Sequence, residues 1–168
     1  MLSTLLVLLP WLAFSVLIGV VALGPFAGVW LAERSRTTSA LLALAVLGIV
    51  VLTLYPEGDP YPGIACTVAL PYLAPTAVES IANIVLFVPV AFLAALRWRR
   101  PLVAVLGAST LSAIIEGVQA LVPVIGRACD TSDWITNTIG AVIGGAVAFG
   151  ALAWYRHRVA RATAHTRY

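Results

Sequence analysis

Apolar residues run along this chain in five long stretches, at about 5–31, 40–54, 81–96, 102–122 and 134–155. A helix rises about 1.5 Å per residue, so about 20 apolar residues cross the hydrocarbon core of a bilayer. The first, fourth and fifth stretches reach that length. The second and third are shorter. They either borrow flanking residues or thin the bilayer locally, and the third has the further alternative of re-entering on one side. The pattern predicts an all-α polytopic transmembrane helix bundle of about five helices. It forms a single transmembrane domain over 1–168, with N-terminal helices over about 5–54 and an outer loop over about 55–80. The first stretch reads as a spanning helix, kinked at Pro10 or near Gly24-Pro25, because no basic residue precedes Arg34 and a cleavable signal needs a basic start. Within the loop, 64–73 is apolar but too short to span; it lies at the interface or folds back over the outer face.

Composition agrees. Hydrophobic residues make up 61% of the 168 and charged residues 10%, with a mean hydropathy of +1.02. Those values exclude an ordinary soluble enzyme, a disordered chain and a nucleic-acid-binding domain. All ten basic residues are Arg, a usage that points to a GC-rich bacterial genome.

Charge placement orients the bundle. Arg34 and Arg36, then Arg97, Arg99 and Arg100, then Arg156, Arg158, Arg161 and Arg167 fall in alternate connections and the tail. Those segments are the cytoplasmic ones by the positive-inside rule, so the N-terminus is outside and the C-terminus cytoplasmic. Glu33 is the one acid on that side. Glu57, Asp59, Glu79, Asp130 and Asp133 lie outside, with Arg127, and Glu116 sits toward the outer end of the fourth helix. The basic tail from Arg156 reads as a topology signal drawn to anionic lipid; it requires no nucleic acid. Cys66 and Cys129 both fall outside, so they are a disulfide candidate, with two separate thiols as the alternative.

Polar residues inside the spans carry the candidate chemistry. In the fourth, Ser109, Ser112, Glu116 and Gln119 are offset by 3, 4 and 3 and share one helical face. A carboxylate at that depth is costly in lipid and so faces protein or water. In the fifth, Asp133, Asn137, Gly140 and Gly144 share a face, polar above and small below; the Gly-x-x-x-Gly half permits close helix approach. Asp130, Thr131, Ser132 or Asp133 can cap this helix or bind a ligand. In the third, Glu79 and Asn83 are one turn apart, and Asn83 enters an apolar run that holds Pro89. The outer ends of these helices therefore offer Glu79, Asn83, Glu116, Gln119, Arg127, Asp130, Asp133 and Asn137 as ligand-binding candidates. Arg127 forks onto a phosphate or onto one of the carboxylates.

The ordered set Asn83 with Leu86-Phe87-Val88-Pro89, then Glu116-x-x-Gln119, then Arg127-x-x-Asp130-x-x-Asp133-x-x-x-Asn137-x-x-Gly140-x-x-x-Gly144 resembles the VanZ-like membrane protein family, over a core of about 79–155. Ala91 stands where that pattern has Gly, and Ser132 where it often has another acid. The resemblance implies a small multi-pass protein of the bacterial cytoplasmic membrane. The family's namesake is linked to low-level teicoplanin resistance without remodelling of the cell-wall precursor. The resemblance supplies no reaction.

Three functions compete. The first is a binding or protective protein. It takes an amphipathic envelope ligand, either a polyprenyl-linked cell-wall intermediate or a lipoglycopeptide, with membrane lipids as its other partners. The second is an intramembrane enzyme acting on a lipid-linked phosphate or sugar, in which Glu116, Asp130 and Asp133 act as acid and base or hold a divalent cation. No HExxH, Walker A or GxSxG motif is present, and His157 and His165 lie on the cytoplasmic side, so the sequence leans away from an enzyme and from a cofactor. The third is a small transporter, for which no internal repeat is visible.

Overall fold

A run of 15 or 16 apolar residues falls short of a bilayer, and the structure shows how the short stretches reach it. The computed structural model describes residues 10–56, 63–64, 66–74 and 77–165. It contains α1 (Pro10–Leu31), α2 (Ser35–Leu54), α3 (Val78–Trp98), α4 (Pro101–Leu121) and α5 (Thr131–His165), all long and apolar enough to span. The chain is a multi-pass helical membrane protein. The expectations placed on 5–9, Glu57, Asp59 and Arg167 lie outside the described residues.

α2 gains its missing turn from polar residues. Thr38 is buried and donates to the carbonyls of Leu31 and Arg34 at 2.9 and 3.0 Å. It thereby adds a second donor to each of these carbonyls, which already accept the backbone N–H groups of Arg34 and Thr38, and ties the start of α2 to the end of α1. α3 is 21 residues long, runs without a break through Pro89, and is not re-entrant. It ends on Arg99 in the left-handed region (φ 55°), and Pro101 opens α4 two residues later.

α3 forms the centre. It packs most extensively on α5, and also touches α4, α2 and α1. Phe87, Val90 and Ala91 of α3 bury with Ile49 of α2, Ala108 and Ile115 of α4 and Ala141 of α5. Nearer the other end, Phe92 to Leu96 bury with Leu31, Ala104, Ala148, Ala151 and Leu152. Gly140 and Gly144 set the α3–α5 distance. A Cβ on Gly140 would fall on the Ile84 carbonyl oxygen, and one on Gly144 on that of Val88. Large apolar side chains such as Leu23, Phe26, Leu44, Leu106 and Phe149 face outward, as a lipid solvent allows.

The segment before α3 is extended rather than helical, and two short strands tie it down. β1 (Cys66–Thr67) pairs in parallel with β2 (Cys129–Asp130), Cys66 opposite Cys129 and Thr67 opposite Asp130. Cys66 and Cys129 form a disulfide. The Thr131 hydroxyl donates to the Ala69 carbonyl and accepts from the Ala69 N–H, both at 2.9 Å. Val68, Leu70 and Tyr72 remain exposed beyond this anchor.

Charge is segregated along the bundle. Arg97 bonds to Ser39, and Arg99 bonds to the Ala32 carbonyl and lies over the Tyr155 ring, so the ends of α1 and α3 and the starts of α2 and α4 share one arginine-rich end. Glu79, Arg127, Asp130 and Asp133 belong to the other.

Candidate functional site

The polar face of α4 is a seam facing protein. Ser112 is fully buried, and Glu116 and Gln119 are each 7% exposed. Lowest in the seam, Ser109 Oγ shares a 2.8 Å hydrogen bond with Thr138 Oγ1 of α5. One turn on, Asn137 Nδ2 donates to Ser112 Oγ at 2.9 Å. Higher still, Glu116 Oε2 accepts the Asp130 backbone N–H at 2.8 Å. At the top, Gln119 Nε2 donates to the Thr53 carbonyl of α2 at 2.8 Å. The 3.6-residue period stacks these groups on one side; the lower two find partners on α5, Glu116 on β2 and Gln119 on α2.

Asp130 does two jobs in one residue. Its backbone N–H meets Glu116 while its Oδ1 accepts the Ser132 N–H at 2.7 Å, capping the start of α5. Capping and membership of the cluster therefore coexist. Asp133 follows in the first turn, where the helix N-terminus favours a carboxylate. Asn83 of α3 hydrogen-bonds its side chain, and Asp130, Glu79 and Arg127 stand close enough to act on its charge. Asp133 and Asp130 act in turn on Glu116. Four carboxylates and one guanidinium thus share one corner between α3, α4 and α5.

Of the eight residues nominated by sequence, Glu79, Asn83, Glu116, Arg127, Asp130 and Asp133 meet in this cluster. Asn137 joins the seam one turn below, through Ser112. Gln119 is bonded to α2 and works as a tie between helices. Thr53 and Thr138 supply partners that sequence reading did not single out, and Thr131, read there as a cap or ligand candidate, instead ties the Ala69 backbone. Threonine is ordinary in a span, so only the neighbouring helix reveals its role.

One atom stands out. Asn137 is 4% exposed, and its Oδ1 has no hydrogen-bond partner. Leaving such an acceptor unmet costs about 1–3 kcal/mol. Turning the amide over only exchanges which of its polar atoms is unmet. The position is suited to a polar group that completes the hydrogen bonding of the amide. Among the described residues no group of three or more His, Cys, Asp or Glu is arranged to hold a metal ion. Of the four carboxylates, Glu116 and Asp130 each accept a backbone N–H through one oxygen.

The family model for VanZ/LLP1 matches residues 11–153. No curated protein and no solved structure matches the chain.

Proposed function

The chain belongs to the VanZ/LLP1 family, and on that premise we propose that its acidic corner receives the polar head of an amphipathic molecule of the bacterial cell envelope. The ligand is a lipid-linked cell-wall intermediate or a lipoglycopeptide of the teicoplanin kind, and holding it contributes to teicoplanin resistance. The site faces outward from the cytoplasmic membrane, on the side opposite the arginine-rich end. The observation that carries this reading is the unmet Asn137 Oδ1 beneath Glu116, Asp130 and Asp133. Carboxylates outnumber the guanidinium there, which favours a head rich in hydroxyl, amide or ammonium donors over a bare anion. Surrounding lipid accommodates the tail. Committed hydrogen bonds at Glu116 and Asp130 favour holding a ligand over acid–base turnover.

The test is susceptibility of a sensitive bacterial host that carries the wild type, Glu116→Ala or Asn137→Leu at matched membrane abundance. The wild type should protect against teicoplanin and leave vancomycin killing unchanged, and both variants should lose the protection. Full protection from both variants would remove the acidic corner from the function. No protection from the wild type would separate this chain from the teicoplanin role. Binding of lipid-linked precursors by the purified protein would then decide the ligand.

A further inference from the structure

At the end of the bundle away from the acidic corner, a groove of about 630 Å³ opens between α2 and the last turn of α3. Its wall is apolar: Leu42, Val46 and Val50 recur every four residues along one face of α2. Its mouth is formed by Ser39, Arg97 and Trp98. Arg97 is fixed there by a 2.8 Å bond from its Nε to Ser39 Oγ. The side chain is exposed, and its two Nη groups bond to none of the described residues. Arg99 is engaged elsewhere, with Nη2 on the Ala32 carbonyl and its guanidinium 5.3 Å from the Tyr155 ring. Trp98 is half exposed beside Arg97, and tryptophan is a side chain that settles at headgroup level.

We propose that this groove binds an anionic phospholipid, with the phosphate on Arg97 and one acyl chain along Leu42, Val46 and Val50. From Ser39 to Val50 the helix rises about 16 Å, which matches the upper part of an acyl chain. A guanidinium anchored at Nε still presents a pair of Nη donors to phosphate oxygens. The charge of this end also selects the occupant. Glu33 is its one acid among the described residues, against Arg34, Arg36, Arg97, Arg99 and Arg100. A parallel second copy docked here would bring arginines against arginines, whereas an anionic lipid neutralises them. The proposal is independent of the acidic corner.

The full chain, purified in detergent and offered equal amounts of phosphatidylglycerol and phosphatidylcholine, is read by native mass spectrometry. The wild type should retain phosphatidylglycerol about fivefold over phosphatidylcholine, the preference expected from one basic residue at an anionic headgroup. Arg97→Gln should abolish the preference and Arg97→Lys should keep most of it. Arg36→Gln, at the same end but outside the groove, should leave it intact. Val46→Trp should fill the groove and displace both lipids. A preference that survives Arg97→Gln, or its absence from the wild type, overturns the proposal. A lipid-free dimer that Val46→Trp converts to monomer would also overturn it and assign the groove to a second copy. Arg97 lies at the exposed rim, so its variants remain informative even where Val46→Trp does not fold.

Discussion

Glu116 illustrates how a carboxylate at membrane depth is made tolerable. It accepts a backbone N–H from Asp130 at 2.8 Å, so β2 and the start of α5 rest on it. It also stands near Asp130 and Asp133, which resist its charge. The two effects separate by substitution. Glu116→Ala strands the Asp130 N–H, an expected loss of about 1–3 kcal/mol. Glu116→Gln keeps an acceptor in the same place and removes a negative charge from the corner. Thermal unfolding in detergent should therefore rank Gln at or above wild type and Ala below it. The Ala deficit should be about 5 °C, from roughly 2–4 °C per kcal/mol in a chain of this size. Equal losses for Gln and Ala would mean that the charge, rather than the hydrogen bond, holds the seam. Asn137 carries the complementary case, because its Nδ2 is satisfied by Ser112 while its Oδ1 is not.

Between elements, the decisive contact is that of α5 on α3. Gly144 places its Cα against the Val88 carbonyl, and a methyl group there meets backbone that cannot rotate away. Overpacking typically costs about 1–3 kcal/mol, and contact with a backbone atom places Gly144→Ala at the upper end. Gly107, with open space around its Cβ direction, is the control. Gly107→Ala should leave the melting temperature unchanged or slightly raised, while Gly144→Ala should lower it by about 6–10 °C. Similar effects from both would show that helix propensity, not close approach, governs these positions. This contact was legible from the Gly140-x-x-x-Gly144 spacing, as were the five spans and the shared faces of α4 and α5, because helical periodicity repeats along the chain. The first turn of α2 was less legible. Residues 35–39 are polar, and Thr38 is held by the Leu31 carbonyl at the end of the preceding helix. The β1–β2 pair left no pattern, since two residues cannot show alternation. The partners of Gln119 and Asn137 depend on how helices rotate against one another, which no single segment encodes.

The bundle carries a charge dipole of a kind that membranes read. Arg34, Arg36, Arg97, Arg99 and Arg100 cluster at one end, and Arg156, Arg158 and Arg161 continue α5 beyond its buried part. The other end holds Glu79, Asp130 and Asp133 around Arg127, with the Cys66–Cys129 disulfide beside them. Each side's chemistry points the same way. Arginines near the ends of spans retain their connections in the cytoplasm, whereas carboxylates contribute little to orientation. A disulfide persists on the oxidising side. The expected topology is therefore arginine-rich end inside and acidic corner outside. Single cysteines introduced on a Cys66→Ser, Cys129→Ser background give the measurement, read in intact cells with a membrane-impermeant maleimide. Gly63→Cys, in the segment before β1, should label in intact cells. Arg161→Cys, near the end of α5, should label only after the membrane is opened. The reverse pattern would place the acidic corner in the cytoplasm, where no extracellular ligand or antibiotic reaches it. The proposed binding function would then fall, although the fold and the lipid groove would stand unchanged.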